Sequence, residues 1–371
     1  MLSGSRLIRG MCWVILSGLP LTAFGPKPVR MAPVPADPFE LVTGPVQLVS
    51  SSAGREDVFR LLSRARSSYV LRDSLDAWDL KVRFTVDSGG GTNYDGKWEM
   101  EDQFAPAQGD HWTATSDSGY AITGIFLGDA LYSEGTARAI PLRLQEARAM
   151  LFNPLPSTAY ADKGSIRTAA ASFQGTPVTC VLLTRLTRLA IPANGRAWDE
   201  SEDCIDLQTG LLKTHSEVPG RYSVYDYTNA PRLGEHVLPR TVTVTEAGRT
   251  VSKISVEDLR QIPMPDSSLF RLTDRMKASG EGVAMASASK LQRMHGEGRA
   301  TSSSTIRPVC VFGLVSPGGK LVEAHSLQPA DPNSAAALKD AKEIDFSPSL
   351  PAGGPPQQHF VFVIEKFLSP R

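Results

Sequence analysis

The chain has 371 residues, enough for two domains with their own cores. Lysine plus arginine and aspartate plus glutamate both number 39, so the formal charge is zero and no basic run marks a nucleic-acid surface. Balanced charge likewise excludes an electrostatic attraction to anionic membranes; no nucleic acid is expected as a partner.

Residues 1–25 have the layout of an export signal. Arg6 and Arg9 precede a mostly apolar run, Met11 to Phe24, that is interrupted by Pro20 and is shorter than the ~20 residues a membrane span needs. Ala23 and Gly25 are spaced for cleavage after Gly25, and Cys12 lies inside the run, where lipoprotein processing would not use it. Residues 26–54 carry six prolines, from Pro26 to Pro45, and few bulky apolar groups, which predicts an extended tether.

Helical spacing begins near Arg55. Val58, Leu61, Leu62, Ala65 and Tyr69 share a face from which Arg60, Arg64 and Arg66 are excluded. Trp78, Leu80, Val82, Phe84 and Val86 then alternate with Asp79, Lys81, Arg83 and Thr85. Gly89-Gly90-Gly91 turns the chain, and Tyr94, Gly96, Trp98 and Met100 alternate with Asp95, Lys97, Glu99 and Glu101. Period-2 patterning of this kind describes a sheet with one wet and one buried face. Trp112, Ala114 and Ser116 continue it weakly, and Ala121 to Leu127, including Phe126, is more uniformly apolar.

Pro141 opens a second helix with Leu142, Leu144, Ala147, Met150 and Leu151 near one side, stopped at Asn153-Pro154. Sheet resumes at 165–173 and 176–186. The acidic run Asp199, Glu200, Glu202 and Asp203 is expected to be a solvated edge. From Cys204 to Phe270, β-branched and aromatic runs separated by turn residues describe an antiparallel meander. Cys180 and Cys204 can face each other across neighbouring strands. They form either a disulfide, as an oxidising compartment would favour, or two buried thiols. The fold class expected for 55–273 is α+β: a large curled antiparallel sheet, an incomplete β-barrel, with its helices on the concave side.

Helix, long curled sheet, helix and more sheet, with Tyr225-Asp226-Tyr227, His236 to Pro239 and Asp266 to Phe270, resembles the LolA/LolB-like half-barrel of outer-membrane lipoprotein-sorting proteins. The resemblance implies a concave apolar face able to hold acyl chains, hence a lipid or lipoprotein ligand. Residues that would line it are Trp78, Phe84, Tyr94, Trp98, Met100, Phe126 and Met150. The alternative for this stripe is ordinary core, covered completely by the two helices.

Residues 274–305 lose periodicity and are expected to be a flexible linker. Val309 to Val315, Pro317-Gly318-Gly319, Lys320 to Ser326, a helix through Ala335, Leu338 and Ala341, and Phe360 to Phe367 set out a small β-β-α-β domain. With Phe346, Pro348 and Gly354-Pro355, residues 306–368 resemble the C-terminal domain of TonB-family proteins. That resemblance implies an outer-membrane or other envelope protein as partner, meeting a last strand that carries Phe360, Phe362, Ile364 and Phe367. The alternative for that strand is an internal sheet or homodimer contact. Cys310 is expected to pack as a small hydrophobe.

No catalytic constellation emerges. The six histidines form no HExxH pair, although His325 and His359 fall on strands that could bring them together. Nucleotide-binding and nucleophile-elbow motifs are lacking, so neither cofactor nor metal is expected. The leading expectation is an exported, non-catalytic protein of the periplasm or cell envelope, with lipid or lipoprotein bound in the half-barrel and a TonB-like interaction module. The alternatives are a TonB-type energy transducer and a scaffold whose half-barrel is filled.

Overall fold

The computed structural model describes residues 30–89, 94–128, 130–136, 140–157, 161–185, 192–282, 289–295, 305–347 and 358–369; the expected leader lies outside them. The chain is α+β, mostly antiparallel strand, with a large open sheet and a smaller separate one.

Two short strands come first, β1 (Arg30–Met31) and β2 (Gln47–Leu48), followed by helix α1 (Ser52–Ser67). The Ser51 side chain caps α1 by accepting from the Gly54 amide, and Val58, Leu62 and Ala65 form its buried face. A first meander follows: β3 (Trp78–Val86), β4 (Gly96–Ala105), β5 (Gly109–Ser116), β6 (Ala121–Leu127) and β7 (Ala130–Gly135). Helix α2 (Leu142–Phe152) leads to a second: β8 (Ser165–Phe173), β9 (Thr176–Thr184), β10 (Ser201–Asp206), β11 (Leu212–Val218) and β12 (Arg221–Asp226). A ribbon of β13 (Arg232–Leu233) and β14 (His236–Val237) precedes its last strands, β15 (Thr241–Glu246) and β16 (Arg249–Gln261).

Long strand β16 pairs antiparallel with β3, from Ser252 opposite Val86 to Gln261 opposite Trp78, and this joins the two meanders in mid-sheet. The outer strands of the combined thirteen-stranded sheet are then β7 at one border and β8, with β2 beyond it, at the other. The chain between β7 and β8 must cross the whole concave face, and α2 is that crossing. Nine of its residues are buried, including Arg143, Gln145, Glu146 and Arg148. The side that its sequence marks as polar therefore faces other protein groups and not solvent.

Expected alternation holds in β3, where Trp78, Leu80, Val82, Phe84 and Val86 are buried while Lys81, Arg83 and Thr85 are exposed. Cys180 and Cys204 lie directly opposite each other on β9 and β10 and form a disulfide.

The smaller sheet contains β18 (Thr305–Val315), β19 (Leu321–Ser326), helix α4 (Ser334–Lys342) and β20 (His359–Ser369), in the expected β-β-α-β order. Two strands from elsewhere join it. β1 runs parallel to β18, and β17 (Ser289–His295) runs parallel to β20. One face, with Val309, Val311, Val361 and Val363, is covered by Ala337, Ala341 and Phe346. The other, with Cys310, Phe312, Phe360, Phe362 and Ile364, packs on Leu142, Trp198 and Val218 of the larger unit. Burial on both faces accounts for the unbroken apolar runs in β18 and β20.

Three expectations are corrected. From Arg30 on, the Pro-rich segment is no free tether: it supplies a strand to each sheet, buries Val42, and receives a 2.9 Å hydrogen bond from Trp198 Nε1 at the Ala32 carbonyl. Short edge strands tolerate proline, and a few well-placed apolar side chains suffice to dock them. The stretch 274–305 contains helix α3 (Asp274–Ser279), with Met276 buried, as well as β17. The acidic run is buried, not solvated. Glu200 pairs with Arg167 at 2.7 Å, Asp203 meets His215 Nδ1 at 2.8 Å, and Asp199 accepts from Thr184 at 2.9 Å. His325 and His359 sit on β19 and β20 opposite Phe312 and Val315 of β18, three positions apart, and His325 instead lies 2.8 Å from Glu246.

Candidate ligand cavity

Between the C-terminal end of α1, the second half of α2 and strands β5 to β7 lies a cavity of about 470 Å³. That is within the ~300–1,000 Å³ usual for small-molecule sites. Its apolar wall includes Leu71, Trp112, Phe126, Leu131, Ile140 and Phe152, and its polar wall includes Arg66, Arg72, Gln145, Arg148 and Asn153.

The arginines arrive by three routes. Arg66 ends α1 and donates through Nη2 to the Leu155 and Pro156 carbonyls. Arg72, on the turn before β3, is partly exposed, pairs with Asp110 and lies 4.4 Å from the Phe126 ring centre. Arg148 projects from α2 over Trp112, with its guanidinium carbon 4.4 Å from the ring centre, while its Nη1 lies 2.7 Å from Asp102 Oδ2. Cation–π contact inside a desolvated site is worth ~2 kcal/mol.

Both acids are buried behind these guanidinium groups. Burial pushes Asp102 above the ordinary carboxylate range against the pull of Arg148 and Arg72. Burial first, and the neighbouring Asp102 second, push Asp110 up to about 7. His111, beside them, is lowered by burial. Among the described residues, three polar atoms of the wall have no hydrogen-bond partner: Arg66 Nε, Trp112 Nε1 and Gln145 Oε1. A buried polar atom left unpaired costs ~1–3 kcal/mol, so a cluster of them in a cavity wall marks a place where a ligand's polar atoms would be welcome.

Of the residues singled out by pattern, Phe126 lines this cavity. Trp78, Phe84, Trp98 and Met100 on the sheet and Met150 on α2 belong to the main core. Trp78 stacks on Phe104 at 5.5 Å and Phe84 on Trp98 at 5.6 Å, and Tyr94 is half-buried edge-on to Tyr120 at 5.3 Å. Sequence reasoning misses these arginines because Arg66 falls outside the apolar stripe of α1 and Arg72 and Arg148 carry no periodic signal; Trp112 is visible only as part of a weak alternation. In the small sheet, Phe360, Phe362 and Ile364 are buried in the contact with the large unit, and Phe367 packs at the edge of the α4 core. β20 is paired with β18 on one side and with β17 along Val361–Phe367 on the other, so it has no free edge there for strand addition.

A second polar cluster sits at the first half of α2, between the sheets. Arg143 bonds Glu146 at 3.3 Å, Glu246 at 3.0 Å and Glu323 at 2.7 Å; Arg221 bonds Glu246 at 2.9 Å, Glu217 at 3.1 Å and also Glu146. Glu246, Glu323 and His325 converge closely enough to be considered as metal ligands, but Arg143 already occupies both carboxylates. The sulfurs of Cys180 and Cys204, which converge with Glu202, are committed to their disulfide.

No protein-family model matches the sequence, and no curated protein does. Among solved structures, a LolA superfamily protein from Nitrosomonas europaea is similar at 12% identity and a TM-score of 0.36, over 57% of this chain and 96% of that one. A DUF1329 family protein from Desulfovibrio piger is similar at 9% identity and a TM-score of 0.37, over 58% and 96%. The MucA/MucB complex of Pseudomonas aeruginosa is matched at 12% identity and a TM-score of 0.26, over 62% and 64%.

Proposed function

We propose that this is an exported, non-catalytic protein of the cell envelope whose large sheet binds a lipid or a lipid-modified partner in the cavity between α1, α2 and β5–β7. The single observation that carries the reading is the cavity itself: a half-barrel filled by its helices would serve as a scaffold, whereas about 470 Å³ walled by Trp112, Phe126, Leu131 and Phe152 accepts an apolar chain. Export is supported by the leader-like residues 1–25 and by the Cys180–Cys204 disulfide, since such bonds persist in oxidising compartments. No helix among the described residues is long and apolar enough to cross a membrane. A protein partner through the small sheet remains part of the proposal, but at a surface other than β20, whose edges are taken.

The test is uptake of a fluorescent acyl-chain probe by delipidated protein. Saturable binding is expected, and Ala149→Trp, which fills the cavity from α2, is expected to abolish it while leaving the thermal transition in place. Absence of uptake at high protein concentration overturns the lipid reading.

A further inference from the structure

We propose that the cavity selects an anionic single-chain amphiphile, holding an oxyanion head among Arg66, Arg72 and Arg148 and the tail against Trp112, Phe126, Leu131 and Phe152. The inference rests on the lipid-binding reading and narrows it to a charge class.

Among the described residues, three guanidinium groups reach the wall of this cavity and no acidic side chain does. The acids that accompany them, Asp102 and Asp110, contact Arg148 and Arg72 from behind. Ion pairing therefore satisfies one side of each of these two groups, and an arginine has five N–H donors in a planar fork. Arg66 has no acidic partner within the cavity wall; it is held by two backbone carbonyls, and its Nε is buried without an acceptor. Trp112 Nε1, also a donor, is likewise unanswered. Among the described residues, the unmet demand in the wall is thus mainly for acceptors, against which Gln145 Oε1 stands alone. An oxyanion meets that demand, and arginine forks match carboxylate and phosphate geometry in two-point contacts.

The arrangement also orders the ligand. The Arg72 side chain is 38% exposed and that of Arg148 is 9% exposed, so the cationic groups run from the solvent side inward. Phe126 lies under both guanidinium groups, at 4.4 Å from Arg72 and 5.5 Å from Arg148, and keeps them facing the cavity while apolar surface continues beside them. A neutral lipid would fill the apolar part and leave the donors unpaired.

The experiment is competition for the bound acyl probe on delipidated full-length protein by four compounds: palmitate, hexadecyl phosphate, hexadecanol and inorganic phosphate. Palmitate and hexadecyl phosphate are expected to bind at least about tenfold tighter than hexadecanol, as charge-assisted bonds in a dry site should give. Inorganic phosphate is expected not to compete. Arg66→Gln, which strands no buried acid, is expected to lose about tenfold for the two anions and little for the alcohol, with Arg66→Lys restoring part of the loss. Equal affinities for palmitate and hexadecanol would overturn the charge selection while leaving a lipid cavity, and displacement by inorganic phosphate alone would show that the tail plays no part. If neither long-chain class binds, the lipid reading falls with it.

Discussion

The two halves of α2 bury arginine in opposite circumstances. At Arg143, two arginines and four glutamates are tied together across α2, β11, β12, β15 and β19, and the Arg143, Arg221 and Glu246 heads each meet two or more partners. At Arg148, a little over a turn later, the helix supplies a guanidinium that has one acid, an aromatic bed and open space. The first arrangement is how a fold keeps buried charge; the second is how it keeps a place for something else. Full pairing fixes geometry, whereas partial pairing in a cavity wall leaves interaction energy unspent until a ligand arrives.

The comparison breaks most sharply at Glu246. Its charge is held well below the ordinary carboxylate range: burial opposes ionisation, but Arg143, His325 and Arg221 override it. Glu246→Ala leaves two buried arginines short of their shared partner, and removing one member of a buried ion pair costs ~3–5 kcal/mol. Chemical denaturation should show a loss of that size. Because the cluster bridges both sheets, the small-sheet core around Phe312 should loosen with it, as hydrogen exchange of β18 amides would record. A loss under about 1 kcal/mol would mean that the cluster is not the rigid region assumed in the comparison.

On the cavity side the expected effect has the opposite sign at neutral pH. Asp110 is raised to about 7 by burial and by Asp102, far above the ~3.9 of an unfolded aspartate. Between those values the native state holds the proton that the unfolded chain has released. This group therefore costs nothing below about pH 4 and imposes a growing cost as pH rises towards 7, at up to ~1.4 kcal/mol per pH unit. Asp110→Asn should flatten that fall in stability between about pH 4 and 7, partly offset by the lost pairing with Arg72. Unfolding free energies measured across this window with both proteins decide it; parallel curves would place Asp110 in a solvated setting and remove the contrast with Glu246.

Much of the frame was legible before any coordinates. The alternation of β3 and β4, the meander from Cys204 onward and the facing of Cys180 with Cys204 follow from local patterns that tertiary context reinforces. What could not be read are the places where charge is buried. Arg143, Glu146 and Arg148 look like the wet side of an amphipathic helix until the crossing from β7 to β8 encloses α2. Glu200, Glu202 and Asp203 look solvated until Arg167, the Glu40 carboxyl and His215 converge on them from distant segments. Pairing of this kind is set by register and topology, and no periodicity carries it. The last strand is an instructive intermediate: its sequence marks a strand with either an outside partner or an internal contact, and the partner that takes its second edge, β17, comes from a stretch too polar to suggest a strand.

The smallest and most discriminating change lies at Gln145, one helical turn before Ala149 and between the two arginine regions. Its Nε2 donates to the Ile140 carbonyl at 3.1 Å, while its buried Oε1 has no partner. Gln145→Met keeps the side-chain length, strands the buried Ile140 carbonyl at a cost of ~1–3 kcal/mol, and removes an acceptor whose isolation also costs ~1–3 kcal/mol. The two terms nearly cancel, so thermal stability should change by no more than about 1 kcal/mol in either direction. A marked destabilisation would reveal that Oε1 is satisfied in solution and that this wall is as fully paired as the Arg143 cluster. Near-neutrality would confirm that the cavity end of α2 carries polar groups the fold itself does not need.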